Sequence, residues 1–297
     1  MAKPTLRGVA ILGLGLMGGA LGLAVRRSGL AGRVTAYARR KASRSLALEL
    51  GVADAVFDTP AKAVRGAELV VLCTPVLTIA ALLERCRGAL APGAVVTDVG
   101  STKQMLVETL GGVLQGSAAT FVGSHPMCGS EQAGLEAADA TLYDEALVIV
   151  TPAPDSSDAA VERVTAFWEA LGSRVSVIPP DVHDRILART SHLPHMVAAA
   201  LAATVGRDGP GLAPYCGAGF RDTSRIAEGP ADVWHDIVAS NAPALLHELE
   251  AYHAAIGRIR DLVAANDFAG VRDMLATARS QRLSLCGRDG PGKAVSE

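Results

Sequence analysis

The chain is short of aromatic residues, of cysteines and of net charge. Aromatic side chains make up 4% of its 297 residues, and 28 basic side chains are balanced by 30 acidic ones, for a net charge of -2. A nucleic-acid binder that depends on a broad basic surface or on aromatic stacking is therefore not expected. The five cysteines form neither a disulfide framework nor a Cys-X-X-Cys zinc site, which favours reduced thiols in a cytoplasmic protein.

One uncharged run, residues 8–25, is long enough to suggest a membrane span or a signal-peptide core. Six of its residues are glycine, and their spacing is better explained by the phosphate-binding loop described below. We therefore expect a soluble protein with no membrane-spanning or targeting segment.

The hydrophobic pattern changes near residue 180. Before it, short apolar runs alternate with helical patterns, which predicts an α/β fold with a Rossmann-type, doubly wound parallel sheet. Beyond it, every strong pattern is helical. The predicted domains are therefore 1–179, which binds a dinucleotide, and 180–297, which is all-helical. The predicted strands are 9–12, 33–38, 53–57, 68–73, 94–99, 120–123, 146–151 and 174–178, and the predicted helices are 17–28, 41–50, 76–90, 157–171, 181–205, 231–240, 242–265 and 267–284.

A glycine-rich loop, Gly-Leu-Gly-Leu-Met-Gly at 13–18, follows the first predicted strand and opens the first predicted helix. Gly13 permits a tight turn, Gly15 lets a pyrophosphate approach the backbone, and Gly18 allows close helix–strand packing. The helix N-terminus adds unpaired N–H groups for the phosphates. This context predicts a dinucleotide site, with Leu16 and Met17 contributing beside the three glycines.

The second predicted strand ends without the acidic residue that holds the ribose 2′-hydroxyl of NAD in such folds. No Asp or Glu occurs between residues 34 and 48, and Ala38 stands at the expected position. Arg39, Arg40 and Ser43 follow, and guanidinium groups suit the oxygens of a 2′-phosphate. The sequence therefore predicts NADP, held by these three side chains; a solvated basic turn is the alternative.

A second motif, Gly-Ser-His-Pro-Met-Cys-Gly-Ser-Glu-Gln-Ala-Gly at 123–134, brings together an imidazole, hydroxyls and a carboxylate between predicted strands. With Ser-His-Leu-Pro-His at 191–195, it makes the chain resemble the prephenate/arogenate (cyclohexadienyl) dehydrogenase family of tyrosine biosynthesis. The resemblance extends over nearly the whole chain, through GLGLMGG at 13–19, VVLCTPV at 70–76, DVGSTK at 98–103 and GFRDTSRIA at 219–227.

The resemblance implies an oxidative decarboxylation. A hydride passes from the ring carbon that bears the 4-hydroxyl to the nicotinamide, and the ring carboxyl leaves as carbon dioxide. Because aromatisation drives this reaction, the enzyme mainly orients the reactants and polarises the hydroxyl. The resemblance makes His125 the base, since the pKa of an imidazole lies near working pH, and it puts Ser101 beside that base. It also implies a homodimer formed through the helical domain.

Further site residues follow from the same resemblance. Arg225 is the expected partner of a substrate carboxylate, with Arg221 as its competitor. His192 and Ser124 are expected substrate contacts, and Glu131 is expected to pair with an arginine of the pocket or to lie on the surface. Thr74 is an expected cofactor contact.

Three groups have competing interpretations. Cys128 lies beside the proposed base, where a nucleophile is conceivable, but a small filler side chain is the better interpretation. His195 is either a pocket residue or a packed helix residue. Asp181, His183 and Asp184 are interpreted as a polar cluster between domains, because their spacing matches no zinc motif. No metal is expected.

Two other functions fit part of the pattern. A β-hydroxyacid dehydrogenase also has a Rossmann domain followed by helices, but that family relies on a lysine in the helical domain, and residues 180–290 contain none. A redox sensor that binds NADP without catalysis would not need Ser101, His125 and Arg225 together. The predicted partner is therefore a small-molecule substrate, with no nucleic acid and no membrane.

Overall fold

The computed structural model describes residues 5–129, 132 and 134–287, and within these residues the chain forms nine strands and twelve α-helices. The strands are β1 Val9–Leu12, β2 Val34–Tyr37, β3 Ala55–Phe57, β4 Leu69–Leu72, β5 Val95–Asp98, β6 Thr120–Phe121, β7 Gly123–Pro126, β8 Leu147–Thr151 and β9 Arg174–Val177. The helices are α1 Leu16–Ser28, α2 Lys41–Glu49, α3 Pro60–Ala63, α4 Ile79–Glu84, α5 Gln104–Leu114, α6 Asp158–Ala170, α7 Pro180–Leu187, α8 Leu193–Gly206, α9 Ala218–Ser224, α10 Ala231–Ser240, α11 Ala242–Ala264 and α12 Phe268–Cys286.

The first six strands form one parallel sheet in the order β3-β2-β1-β4-β5-β6. Val9 of β1 pairs with Val34 of β2. Along β1, Val9 and Ile11 join one hydrophobic cluster, whereas Ala10 and Leu12 join the other. Side chains that alternate in this way cover both faces of the sheet, as parallel strands require. The predicted Rossmann-type α/β fold is therefore confirmed.

The last three strands form a separate sheet that the sequence did not predict. In it β7 runs antiparallel to β8, and β9 runs parallel to β8. The single strand predicted at 120–123 is divided: β6 stays in the large sheet, and the chain then enters the small one as β7. His125 is consequently a strand residue, opposite Ile149 of β8, rather than part of a loop.

The long helix predicted at 181–205 is interrupted. A π-helical turn at Ala188–His192 separates α7 from α8, and the N–H of Leu193 bonds to the carbonyl of Ala188, five residues back. Pro194 follows in the first turn of α8 and has no N–H for a regular bond to the carbonyl of Thr190. Such turns frequently occur at functional sites, and this one ends at His192.

Two compact units divide after residue 245. The first contains both sheets and the helices through α10, and the second contains the rest of α11 together with α12. At the start of α12, Asp267 accepts a bond from the N–H of Gly270, as an N-cap residue does. No helix within the described part of the chain has both the length and the apolar character that a membrane crossing needs.

Candidate active site

The glycine loop forms a cradle at the N-terminus of α1. Gly13 has a φ of 111°, a conformation that side-chain-bearing residues rarely adopt, and a Cβ there would lie 2.7 Å from the carbonyl oxygen of Cys73. A Cβ on Gly18 would collide with the carbonyl oxygen of Gly13. Gly15, by contrast, has open space where its Cβ would be, and no acidic or capping side chain occupies the start of the helix. The loop therefore fits a diphosphate, which needs close backbone approach and free N–H groups.

Thr74 offers a polar group beside this cradle. It follows β4, the strand next to β1, and its methyl carbon would lie 2.7 Å from a Cβ on Gly13. Its hydroxyl is buried and has no hydrogen-bond partner among the described residues. A buried hydroxyl left unpaired costs about 1–3 kcal/mol, so a bound ligand group would stabilise it.

The turn between β2 and α2 is basic and is tied together by an arginine that the sequence did not single out. Arg39 and Arg40 are exposed, and Ser43 is half-buried. Arg44 Nη1 donates to the carbonyl oxygens of Ala38, at 3.0 Å, and Arg39, at 2.8 Å. The turn follows the carboxyl end of β2, at the same edge of the sheet as the glycine loop, so its side chains can reach a dinucleotide bound there.

His125 belongs to a buried chain of polar groups. Its Nδ1 lies 2.9 Å from Nε2 of His183, and Nδ1 of His183 lies 2.8 Å from Oδ1 of Asp184. The carboxylate of Asp184 also accepts from the backbone N–H groups of Lys103 and Gln104, at 2.8 and 2.9 Å. Since a carboxylate accepts, His183 carries its proton on Nδ1 and receives the Nδ1 proton of His125 on Nε2. The Nε2 lone pair of His125 is then left for the cavity.

Burial keeps these imidazoles uncharged. It lowers the pKa of His125 well below the ordinary value of 6.5, and the nearby His183, Lys103 and His192 lower it further. Burial is also the main cause that lowers the pKa of His183 and takes the pKa of His192 to about 4. At neutral pH His125 is therefore a neutral acceptor, which is the state that a general base needs.

A buried ion pair between Lys103 and Asp98 is hydrogen-bonded to β7, the strand that contains His125. Lys103 Nζ bonds to Oδ2 of Asp98 and, at 2.9 Å, to the carbonyl oxygen of Ser124, and both charged side chains are fully buried. The other oxygen of Asp98 accepts from the N–H of Ser124 at 3.1 Å. Asp98 ends β5 and Ser124 lies on β7, so the pair holds the two sheets together at the site.

The residue next to His125 faces inward, which corrects one expectation. Ser124 is fully buried, and its hydroxyl donates to the carbonyl oxygen of Asp98 at 2.5 Å and lies 2.8 Å from Oγ1 of Thr97. Trp168 Nε1 also donates to that hydroxyl at 3.1 Å. Side chains alternate along a strand, so Ser124 and His125 point to opposite sides. Ser124 is therefore a packing residue and not a substrate contact.

One cavity of about 580 Å³ brings together Ser101, His125, His192 and Arg225. Ser101 follows β5, His125 lies on β7, His192 ends the π-helical turn, and Arg225 begins a short 3₁₀ turn after α9. Arg225 is exposed, whereas the two imidazoles are buried. Arg221 is exposed and is not among the residues that line this cavity.

Part of the remaining cavity wall is flat and aromatic, whereas Ser191 and Glu228 add polar groups to it. His195 and Trp234 stack with ring centroids 3.4 Å apart and planes inclined by 11°. His195 is thus both a packed residue and a wall residue, and burial lowers its pKa. Cys128 also lines the cavity; burial raises the pKa of its thiol to about 11, so the thiolate needed by a nucleophile is scarce at neutral pH.

The segment after the His125 motif packs against α1 beside the glycine loop. A Cβ on Gly19 of α1 would lie 2.8 Å from Cβ of Ala138, and the hydroxyl of Tyr143 donates to the carbonyl oxygen of Met17 at 2.7 Å. Cys128 and Met17 pack against the same hydrophobic cluster. The residues that follow the motif therefore pack against the first turns of α1, beside the glycine loop. Glu131 lies outside the described residues.

The polar cluster near residue 183 is divided between two environments. His183 and Asp184 are buried and belong to the hydrogen-bonded series that ends at His125. Asp181 is exposed, and its carboxylate accepts from Nη1 of Arg185 at 2.6 Å. Within residues 5–129, 132 and 134–287, no group of three or more His, Cys, Asp or Glu side chains is arranged to hold a metal ion. The sequence pattern indicates a polar cluster that contains His183 and Asp184. It does not predict their contact with His125, since no local pattern connects His183 to His125.

Comparison with known proteins gives a consistent result. A family model described as the nucleotide-binding domain of prephenate dehydrogenase matches residues 21–177, and one described as its dimerization domain matches residues 179–277. The cyclohexadienyl dehydrogenase of Zymomonas mobilis is 33% identical over 281 residues, which cover 93% of this chain and 95% of the relative.

Two solved structures are similar over nearly their full length. Prephenate dehydrogenase from Aquifex aeolicus, in complex with hydroxyphenyl propionate and NAD+, is 30% identical with a TM-score of 0.87, covering 96% of this chain and 99% of that one. The arogenate dehydrogenase of Synechocystis is 27% identical with a TM-score of 0.81, covering 94% and 99%.

Proposed function

The chain belongs to the prephenate dehydrogenase family, and on that premise we propose that it oxidatively decarboxylates prephenate or arogenate with NADP+. The observation that carries the proposal is the single cavity where Ser101, His125, His192 and Arg225 meet. The group set matches the substrate: an acceptor for a hydroxyl proton, a cation for a carboxylate, and a flat wall for a six-membered ring.

His125 acts as the base. Its Nδ1 is engaged by His183, so Nε2 is free to accept the proton of the 4-hydroxyl. Since its pKa is lowered, the ring is uncharged before the reaction and gains a proton during it. Asp184, the last group of the hydrogen-bonded series His125–His183–Asp184, fixes the orientation of the His183 ring and, through it, that of His125. It also stabilises the imidazolium that forms. Ser101 holds the substrate hydroxyl beside this nitrogen.

Arg225 and the stacked pair orient the substrate. The exposed guanidinium of Arg225 binds a carboxylate in a bidentate fashion. The stacked rings of His195 and Trp234 contact one face of the substrate ring. Glu131 remains a predicted partner of a pocket arginine.

The glycine loop holds the cofactor diphosphate through Gly13, Gly15, Leu16, Met17 and Gly18. The hydroxyl of Thr74 gains a hydrogen-bond partner there. Bound NADP+ supplies the acceptor for the hydride that leaves the ring carbon.

The preference for NADP depends on the turn after β2. Arg39, Arg40 and Ser43 surround the position of a 2′-phosphate, and no carboxylate is present in 34–48 to bind the free 2′-hydroxyl of NAD. The Aquifex aeolicus relative was crystallised with NAD+, so cofactor choice is a property to measure for this chain.

We further propose a homodimer, because residues 179–277 match the dimerization domain of the family. A cytoplasmic location is proposed from the five cysteines, whose number and spacing fit reduced thiols. The boundary between the dinucleotide-binding part, 1–179, and the helical part, 180–297, remains part of this proposal.

A turnover assay tests the proposal. The protein is mixed with NADP+ or NAD+ and with prephenate or arogenate, and the absorbance of reduced nicotinamide is followed. We expect turnover with at least one of the two substrates and a higher kcat/KM for NADP+. Cofactor binding without turnover on either substrate would favour the redox sensor, and turnover of β-hydroxyacids alone would favour that family.

A further inference from the structure

We propose that Asn241 is a positioning residue that makes His192 a hydrogen-bond donor to the substrate, so that the two cavity histidines carry their protons on opposite ring nitrogens. The ring of His125 is protonated on Nδ1 and accepts through Nε2, whereas the ring of His192 is protonated on Nε2 and donates. The part of this inference that concerns substrate contact rests on the proposed function; the protonation pattern does not.

The orientation of the Asn241 amide is set by a backbone carbonyl. Asn241 is buried, and its Nδ2 lies 2.8 Å from the carbonyl oxygen of Asp184. A carbonyl oxygen can only accept, so the amide nitrogen and not the amide oxygen must face it. The reversed amide would put two oxygens against each other.

The same amide nitrogen settles the protonation of His192. It also lies 3.2 Å from Nδ1 of His192, and an amide nitrogen can only donate. Nδ1 must therefore present a lone pair, and the single proton of the neutral ring is on Nε2. Nε2 has no hydrogen-bond partner among the described residues, and His192 lines the cavity.

Asp184 links the two histidines. Its carboxylate orients His183, and through it His125, while its backbone carbonyl orients Asn241, and through it His192. One residue of α7 thus determines that one ring accepts and the other donates.

This arrangement has a chemical consequence for the substrate. A neutral N–H group donates to a carboxylate or keto oxygen but cannot accept from an ammonium group. Since burial takes the pKa of His192 to about 4, the ring donates without carrying a charge into the cavity. His125 then receives the hydroxyl end of the substrate, and His192 assists Arg225 at an oxygen of an anionic end.

Nitrogen-15 NMR of histidine-labelled protein reads the protonation pattern directly. His125→Asn and His192→Gln identify the two signals by their loss. We expect Nε2–H for His192 and Nδ1–H for His125 in the unaltered protein. Nδ1–H on His192 would overturn the proposal, and this result does not depend on turnover or on any variant of Asn241.

Asn241→Asp is the informative substitution, because its carboxylate accepts where the amide donated. We expect Nδ1 of His192 to become protonated, and KM for the substrate to rise about tenfold while kcat and cofactor affinity change much less. Asn241→Ala should leave both ring forms populated and raise KM by a smaller factor. Unchanged histidine signals and unchanged KM in Asn241→Asp would overturn the inference.

Ser240→Ala is the matched control. Ser240 is adjacent in sequence, and its hydroxyl lies 2.8 Å from Oγ1 of Thr102, with no bond to either histidine. We expect the signals of His192 and KM to stay as they are. If Ser240→Ala raises KM as much as Asn241→Asp, Asn241 has a packing role only. If the protein turns over neither substrate, the proposed function fails, while the NMR result still decides the protonation pattern.

Discussion

The two sides of the candidate site are built in opposite ways. The dinucleotide edge, which contains the glycine loop at 13–18, depends on residues without side chains. A Cβ on Gly13 or Gly18 would collide with backbone atoms, and Gly15 faces open space. The cavity of the candidate site contains buried imidazoles that depend on distant partners, since His125 bonds to a histidine 58 residues away. The glycines of the first side lie in one short turn, whereas the buried contacts of the second join residues that are distant in sequence.

This difference separates the expected effects of substitution. On the dinucleotide edge the charged side chains are exposed, so changes there alter binding by modest factors. In the cavity the histidines are buried, so changes to them remove chemistry or leave a buried group unpaired. The four predictions below test that separation.

His125→Asn has the largest expected effect. Asparagine cannot act as a base, so kcat should fall about 10³-fold, within the range for removal of a general base, while the Kd for NADPH stays unchanged. Steady-state rates and a fluorescence titration of NADPH measure the two quantities. His235→Asn, at an exposed histidine of α10, is the control and should retain activity. Turnover that survives in His125→Asn would remove this residue from the mechanism.

Arg225→Ala should mainly affect substrate binding. The loss of a charge-assisted bidentate contact should raise KM for the substrate about 10–100-fold, with a smaller change in kcat. Arg221→Ala is the matched control, because Arg221 is also exposed but does not line the cavity. A larger rise in KM for Arg221→Ala would reassign the carboxylate partner.

The same contrast explains what sequence alone could predict. The glycine loop, the basic turn and most of the parallel sheet follow from local patterns, and the structure has them near the predicted residues. Three features were not predicted: the division of residues 120–126 between two sheets, the π-helical turn that interrupts the helix before Pro194, and helix α5. Each depends on packing partners or on a missing backbone bond that periodicity does not reveal.

The site shows the same limit. The family resemblance in the sequence named Ser101, His125, His192 and Arg225, and these four residues line one cavity. Ser124 was misassigned because adjacent residues of a strand face opposite ways, and the strand itself was not predicted beyond residue 123. Asn241 was missed because its partners lie 49 and 57 residues away, and no motif connects them.

The pH profile tests whether the buried base is neutral as the cavity predicts. Protonation of His125 abolishes its basicity, so kcat/KM falls on the acid side with the pKa of the free enzyme. Since burial lowers that pKa, and the nearby His183, Lys103 and His192 lower it further, we expect the fall to be centred below pH 6.5. Below the midpoint, activity should decrease about tenfold for each pH unit. A midpoint at or above 6.5 would show that the cavity is open to water in solution.

The double substitution Arg39→Ala and Arg40→Ala should have the smallest effect, because both side chains are exposed and their attraction to a phosphate is screened by salt. We expect the Kd for NADP+ to rise about tenfold, while the Kd for NAD+ stays nearly constant, since only NADP+ carries the 2′-phosphate. Arg65→Ala, at an exposed arginine just before β4, controls for loss of positive charge and should affect both cofactors equally little. Equal weakening of both cofactors by the double substitution would mean that the basic turn recognises the diphosphate. The dinucleotide edge would then lack a charged determinant for NADP, and Ser43 with the backbone held by Arg44 would be the remaining candidate for one.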